Sequence, residues 1–283
     1  MSEFSVPYLT QARLPLTHAV DAVNEFGETI AMAIPSERAL TLYVDKREIV
    51  TLMTLGAQPE WLVLGFLLNQ RLVRSAQDVE SITVDWEVGA AAVKTRKGIA
   101  NLKEKTSRRT VTSGCGQGSM FGTLMDAVEQ IELPAATITQ GQLYAIVNAI
   151  RLQESTYKAA GSVHGCALFQ GEEMLLFVED VGRHNAIDAI AGWMALQPGM
   201  RSQDKFFYTT GRLTSEMVIK AAQMGIPVVV SRSGITQMGH MVAQRLGLCA
   251  IGRATNKRFL CFTGAHRLVL QPELAGTHLR VVA

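Results

Sequence analysis

From Phe206 onward the chain alternates between two hydrophobic periods in a way that few folds accommodate. Phe206–Thr210 is a short strand-like run, and Thr214–Met224 repeats apolar residues at helical spacing between a Ser/Thr start and Gly225. Ile226–Ser231 is again strand-like and apolar. Gln237–Leu246 follows as a second helical pattern closed by Gly247, and Leu248–Gly252 as a third strand. Strand–helix–strand–helix–strand requires parallel strands joined by helical crossovers, since parallel neighbours cannot be linked by a tight turn. The expected class is α/β, with a parallel sheet covered by helices.

Upstream, Thr139-Gln140-Gly141-Gln142 has capping-box spacing ahead of Leu143, Ile146, Val147 and Ile150. His164–Phe169 and Met174–Val178 read as two strands, and Glu179–His184 as a charged loop into a helix through Ile187, Ile190 and Trp193. In the N-terminal half, Leu40, Leu42 and Val44 alternate before Asp45-Lys46-Arg47, which predicts a hairpin with Ile49–Met53. Pro59 suits the first turn of a helix over Trp61–Leu72, and strands are expected at Ser81–Trp86 and Ala91–Thr95. The expected organisation is an N-terminal arm of weak periodicity over 1–36, a small α/β domain over 37–135, and a second domain over 136–283. The small domain ends in the glycine-dense Cys115 loop, after which a helix is expected near Met120–Ile131.

Composition closes off several alternatives. Of 283 residues, 48% are apolar and 18% charged, against roughly 25% charged in an average soluble protein, so a packed core is expected rather than disorder. The strongly apolar runs Trp61–Leu68 and Ile226–Val230 fall short of the ~18 residues of a spanning helix, and no secretory pattern opens the chain. Neither nucleic acid nor a membrane is expected as a partner, because a net charge of +2 makes no global field. Four cysteines are too sparse for a disulfide framework, so a reducing cytoplasm is the expected compartment.

Ligands of open α/β sheets bind off the carboxyl ends of the strands. Those ends carry Thr210-Gly211-Arg212, Ser231-Arg232-Ser233 and Arg253-Ala254-Thr255-Asn256-Lys257-Arg258. One Thr-Gly-Arg alone is usually a turn. Three arginine loops at one edge, two of them leading into helix N-termini, suit a pyrophosphate. Cys115 differs from Cys166, Cys249 and Cys261, which sit in apolar strand-like runs and read as small buried hydrophobes. Gly114 and Gly116 leave the Cys115 sulfur open, and the basic stretch from Arg96 to Arg109 and the helix expected behind it both favour the thiolate. No zinc is expected, since His164-Gly165-Cys166 lacks the Glu of zinc deaminases and no Cys-x-x-Cys exists. The polar stretch Asp180–Asp188 reads either as a helix start or as a site in which Arg183 and His184 face a ligand.

Several motifs occur in order between about Glu37 and Arg267: Leu64-Gly65-Phe66-Leu67-Leu68, Ser113-Gly114-Cys115-Gly116, and Val-Gly-Arg-His-Asn-Ala-x-Asp at Val181–Asp188. Gly211-Arg212 with Thr214-Ser215-Glu216-Met217, and Gly225-Ile226-Pro227-Val228 leading to Ser231-Arg232-Ser233, complete the set. Together they resemble the FdhD family of formate dehydrogenase accessory sulfurtransferases. That resemblance implies a small N-terminal α/β domain and a cytidine-deaminase-like three-layer domain without its zinc site. It implies that Cys115 takes sulfur as a persulfide from a cysteine desulfurase and passes it to the molybdenum cofactor, bis-molybdopterin guanine dinucleotide, for formate dehydrogenase. By the same resemblance the chain is a homodimer, and Arg253, Ala254, Thr255, Asn256, Lys257 and Arg258 form the cofactor-binding stretch. Arg212 and Arg232 join them as candidate grips, with Arg183 and His184. A cofactor-holding chaperone that transfers no sulfur is the rival reading. Two places depart from the family pattern: Gly118 stands where a second cysteine of Cys-Gly-x-Cys is usual, and Ala189 where a lysine follows the aspartate.

Overall fold

The computed structural model describes residues 6–99, 110–111, 118–119, 130–200 and 202–275. The chain forms two compact units: the first comprises 1–126, 154–166 and 178–200, the second 127–153, 167–177 and 201–283.

The first unit holds a five-stranded sheet in the order β1-β6-β7-β4-β5, built from β1 (Tyr8–Leu9), β4 (Arg38–Val44), β5 (Arg47–Thr54), β6 (Val79–Asp85) and β7 (Ala90–Thr95). The expected hairpin is β4–β5, with Leu42 opposite Val50, and Leu40, Leu42 and Val44 are buried on one face as the period-two pattern requires. Residues expected to form an arm instead fold as an antiparallel hairpin of β2 (Thr17–Val23) and β3 (Thr29–Pro35). Its Ile30, Met32 and Ile34 stay exposed, so no buried face imposes the apolar–polar alternation that reveals a strand in sequence. A short antiparallel pair, β8 (Thr110–Val111) with β9 (Gly118–Ser119), completes the strands of this unit before the second begins. The helix expected near Met120–Ile131 falls almost wholly outside the described residues.

Helix α1 (Pro59–Asn69) opens with proline at its first turn and buries Leu62, Val63, Leu64, Phe66 and Leu67. A helix apolar on all sides needs a neighbour on all sides.

The second unit begins with β10 (Ile138–Thr139), which pairs in parallel with β17 (Leu268–Val269), and with α2 (Gln140–Leu152). The predicted capping box is present: Gln142 N donates to Thr139 Oγ1 at 3.1 Å, and Thr139 N donates to Gln142 Oε1 at 2.9 Å. Helix α3 (Thr156–Ala160) belongs to the first unit; β11 (His164–Gln170) and β12 (Glu173–Asp180) follow, their residues 164–166 and 178–180 also falling in the first unit. The charged loop expected at Glu179–His184 reduces to Val181-Gly182, because β12 runs to Asp180 and α4 (Arg183–Ala195) starts at once.

The expected crossovers then appear: β13 (Lys205–Thr209), α5 (Ser215–Gln223), β14 (Val228–Ser231), α6 (Gln237–Leu246) and β15 (Cys249–Thr255). The strands pair in parallel, with Phe206 opposite Val228 and Val229 opposite Ala250. The sheet order is β12-β11-β13-β14-β15-β16, closed by the antiparallel β16 (Arg258–Thr263). Phe206, Tyr208, Val228, Val230, Cys249 and Ile251 form one buried face with Leu143, Ile146 and Val147 of α2. Along α5, Glu216 and Lys220 are buried as an ion pair at 3.6 Å, which burial alone would make costly without the pairing. The mixed α/β class and the alternation read from the sequence are thus present. No helix of the described residues is long and apolar enough to cross a membrane.

Candidate functional site

The carboxyl edge of the parallel strands is stitched together by its own backbone. Arg232 N donates to Thr209 O at 3.0 Å, and Ser231 Oγ to Gly211 O at 2.7 Å, which joins the loop after β14 to the loop after β13. Arg253 N donates to Ser233 O at 2.6 Å, adding β15 to the row. Leu213 N donates to Gly234 O at 2.9 Å and Thr236 N to Leu213 O at 3.0 Å, so the starts of α5 and α6 are held side by side. Arg212, Arg232 and Arg253, singled out from separate loops of the sequence, therefore stand along one edge and are exposed. None of the three side chains makes a hydrogen bond or ion pair among the described residues.

Two further features mark this edge. Among the described residues the Thr214 hydroxyl, at the cap of α5, is buried without a hydrogen-bond partner, and α5 has no side-chain cap. A helix N-terminus with free N–H groups beside exposed arginines is a ready anion seat. Arg253 (φ 52°) and Asn256 (φ 51°) hold left-handed backbone, which costs a side-chain-bearing residue on the order of 1 kcal/mol or more.

The stretch Arg253–Arg258 is not an open loop. β15 continues past the sheet edge, turns at Asn256-Lys257 and returns as β16, which presents Thr255, Asn256, Lys257 and Arg258 to solvent. Ala254 is the exception: its side chain is 1% exposed and packs in the core, so it offers only backbone. Beside the turn opens a cavity of about 470 Å³, lined by Tyr144, Asn148 and Arg151 of α2 and by Asn256 and Lys257. Sites of this volume suit small organic ligands. Tyr144 Oη donates to Lys257 O at 3.1 Å and receives Gln140 Nε2 at 2.8 Å, fixing the helix against the hairpin. Sequence reasoning located α2 but not the contribution of its outer face; Asn148 and Arg151, three residues apart on a helix, were the available signal.

The polar stretch Asp180–Asp188 lies in the first unit, and several of its side chains are structural. Asp180 Oδ2 accepts from Thr54 Oγ1 at 2.5 Å and Leu55 N at 3.1 Å, while Oδ1 accepts from Gly182 N at 3.0 Å and Asn185 Nδ2 at 2.7 Å. Asn185 also donates to Met53 O, and Asn69 Nδ2 donates to Asp188 Oδ1, both at 2.7 Å. One carboxylate thus ties the end of β5 to the start of α4. Arg183 and His184 occupy the first turn of α4 and are buried, 3% and 1% exposed. Glu179 caps α3, accepting from Thr156 N and Tyr157 N. Among the described residues no three His, Cys, Asp or Glu gather as a metal ion would need.

Burial, against the opposing pull of its hydrogen bonds, pushes the Asp180 carboxyl up from 3.8 to about 6. The folded form therefore binds this proton more tightly than the unfolded chain. The resulting stabilisation is complete below the unfolded value and is lost as pH rises through about 6. Lowering pH from 7.5 to 5 is expected to add about 1 kcal/mol from this group, read as a rise in urea midpoint. Asp180→Asn removes that pH dependence and, by facing an amide NH2 toward donors, destabilises by about 2–3 kcal/mol. An unchanged pH slope in the variant would refute the assignment.

Cys115 lies outside the described residues; Val111 and Gly118, opposite one another in the β8–β9 pair, flank it in sequence.

The model of the FdhD/NarQ family matches residues 35–269. The protein named sulfur carrier protein FdhD of Bacillus subtilis is 31% identical over 240 residues, covering 82% of this chain and 89% of its own. Its namesake from Halalkalibacterium halodurans is 31% identical over 239 residues, covering 83% and 88%. The fold matches a crystal structure, from Desulfotalea psychrophila, of a protein described as a formate dehydrogenase accessory protein. That match has a TM-score of 0.72 at 24% identity and covers 90% of this chain and 100% of the other.

Proposed function

The chain belongs to the FdhD/NarQ family, and from that premise we propose that it is a cytoplasmic sulfur carrier acting on the molybdenum cofactor of a formate dehydrogenase. Cys115 takes the sulfur: its thiolate attacks the outer sulfur of a cysteine desulfurase persulfide, and the desulfurase thiolate leaves. A persulfide needs one anchoring sulfur, so Gly118 in place of a second cysteine does not prevent loading. The cofactor, bis-molybdopterin guanine dinucleotide, is bound as substrate, and the homodimer implied by family resemblance offers two copies of each site. The second unit reads as the zinc-free, cytidine-deaminase-like domain of the family.

The observation that carries the cofactor-binding half is the row of exposed arginines, Arg212, Arg232 and Arg253, beside the unsatisfied Thr214 hydroxyl. Guanidinium forks grip pyrophosphate oxygens bidentately, and the positive dipole end of α5 adds to the seat. Thr255, Asn256, Lys257 and Arg258, with the adjoining cavity, suit the more extended part of the ligand. Arg183 and His184 are buried in the first turn of α4, and a ligand role for them would act from the first unit. Arg253→Ala is expected to weaken binding of GDP, used as a probe of the nucleotide arm, about tenfold or more, since one charge-assisted hydrogen bond contributes about 1.5–3 kcal/mol. Unchanged GDP affinity in titration calorimetry would remove Arg253 from the site.

The test of the whole reading is intact-mass spectrometry after incubation with a cysteine desulfurase and L-cysteine. A reductant-sensitive gain of one sulfur atom supports the carrier. No gain with an active desulfurase, but retained GDP binding, supports the rival chaperone and makes Gly118 the mark of a lost activity.

A further inference from the structure

We propose that Cys249 and Cys261 form a redox-active dithiol that closes to a disulfide by exchange with a small-molecule disulfide such as oxidised glutathione. Neither residue belongs to the motifs on which the sulfur-carrier reading rests, so the two stand or fall separately.

The pair is a product of strand register. Ile251 lies opposite Cys261 in the antiparallel β15–β16 ladder, and Ala250 lies opposite Thr263, with an irregularity between the two pairs. Cys249 shares its face with Ile251, two residues on, so the two cysteines are diagonal neighbours on one side of the sheet. Their sulfurs stand 4.0 Å apart. Gly264 helps set this distance: its φ is 66°, and a Cβ there would fall 2.6 Å from the Cys249 Cα, so only glycine lets the end of β16 approach so closely. A disulfide requires an S–S distance of about 2.05 Å, hence an approach of about 2 Å, which the two side-chain rotations share and the irregular ladder accommodates.

The two thiols are not equivalent. Cys249 is fully buried, whereas Cys261 is partly exposed and so is the one a reagent in solution reaches. The contact with Cys249, in which either sulfur can donate, draws the Cys261 thiol down to about 7. The same contact, with burial, pushes Cys249 up. In its thiol form Cys261 donates to Thr263 O at 3.2 Å, and Arg267, whose charge acts on Cys249, donates to Gly247 O at 2.9 Å.

The chemistry follows in two exchanges. The Cys261 thiolate attacks one sulfur of oxidised glutathione, forming a mixed disulfide and expelling glutathione thiolate. Cys249 then attacks the Cys261 sulfur, its proton passes to the departing glutathione sulfur, and the second glutathione leaves as thiol. Two protein thiols are oxidised and one glutathione disulfide is reduced to two thiols, so electrons balance. The product ties together the two strands whose connecting turn carries Thr255–Arg258. In a reducing compartment the pair rests as thiols.

The test uses the full-length chain carrying Cys115→Ser, treated with oxidised glutathione, alkylated in denaturant and digested with trypsin. The expected product is a disulfide joining the peptides Leu246–Arg253 and Phe259–Arg267, lost on reduction. Cys249→Ser is expected to keep glutathione on Cys261, and Cys261→Ser to take up none at Cys249. Three outcomes would overturn the proposal: both peptides fully alkylated, either peptide linked to Cys166, or glutathione retained on Cys261 while Cys249 is intact and alkylated. None of these is read on the Cys249→Ser or Cys261→Ser chains.

Discussion

A chain carrying Cys115→Ala is expected to gain no sulfur from a desulfurase and to leave formate dehydrogenase inactive, while binding GDP as tightly as the unsubstituted chain. In the proposed mechanism the persulfide is a covalent intermediate on one sulfur, and no other thiol stands between Gly114 and Gly118 to replace it. Activation should fall by at least 10³-fold, on the order of 4 kcal/mol or more of lost function, as removal of a covalent nucleophile does. The GDP measurement separates loss of transfer from loss of structure, since it reads the integrity of the second unit, which holds Arg212, Arg232 and Arg253. Full activation by the alanine variant would sink the transfer mechanism and leave a cofactor-holding chaperone.

Gly192→Ala and Gly65→Ala are expected to be the two most destabilising single methyl additions among the described glycines of the first unit. Helices α1 and α4 cross in contact, and a Cβ on Gly192 would stand 2.0 Å from Trp61 O. The reciprocal position is equally closed, with a Cβ on Gly65 falling 1.7 Å from Asp188 O. In both cases the obstacle is backbone, which cannot rotate away as a side-chain tip can, so the helices must separate. Overpacking usually costs about 1–3 kcal/mol, and a clash with backbone belongs at or above the upper end. A fall in Tm of about 6–12 °C is expected from a loss of about 3 kcal/mol. Separation would also stretch the Asn69–Asp188 hydrogen bond, which sits on the same two helices. A Gly192→Ala chain that melts within about 2 °C of the parent would refute the close crossing.

These two glycines show how differently residues of one motif can be read. Gly65 sits in Leu64-Gly65-Phe66-Leu67-Leu68, a run that marks the family without saying why its glycine is there. The reason is a partner helix more than a hundred residues away in sequence, which no local pattern discloses. Asp180 and Asn185 are similar: the sequence leaves them as cap or site, and the hydrogen bonds from Thr54, Leu55 and Gly182 make them a tether. Cys261 was the converse case. Its apolar neighbours gave it the character of an ordinary core residue, while strand register and Gly264 bring it to 4.0 Å from Cys249.

The crossovers from Phe206 to Thr255, the β4–β5 hairpin and the α2 capping box were legible because each depends on residues within a few positions of one another. The arginines were legible as candidates for the same reason, since strand ends and helix starts leave local marks. Sequence alone thus determined the α/β class, the family and the residue types available for anion binding and sulfur chemistry. Tertiary structure alone decided which of them meet: that Arg212, Arg232 and Arg253 share an edge through cross-loop backbone bonds, and that the arm is a hairpin. It also turned Arg253–Arg258 into a strand turn beside a cavity and drew two cysteines into contact. The physical reason is range. Periodicity and capping are local energies, whereas register, helix crossing and loop-to-loop hydrogen bonds depend on groups that the chain brings together only when its cores close.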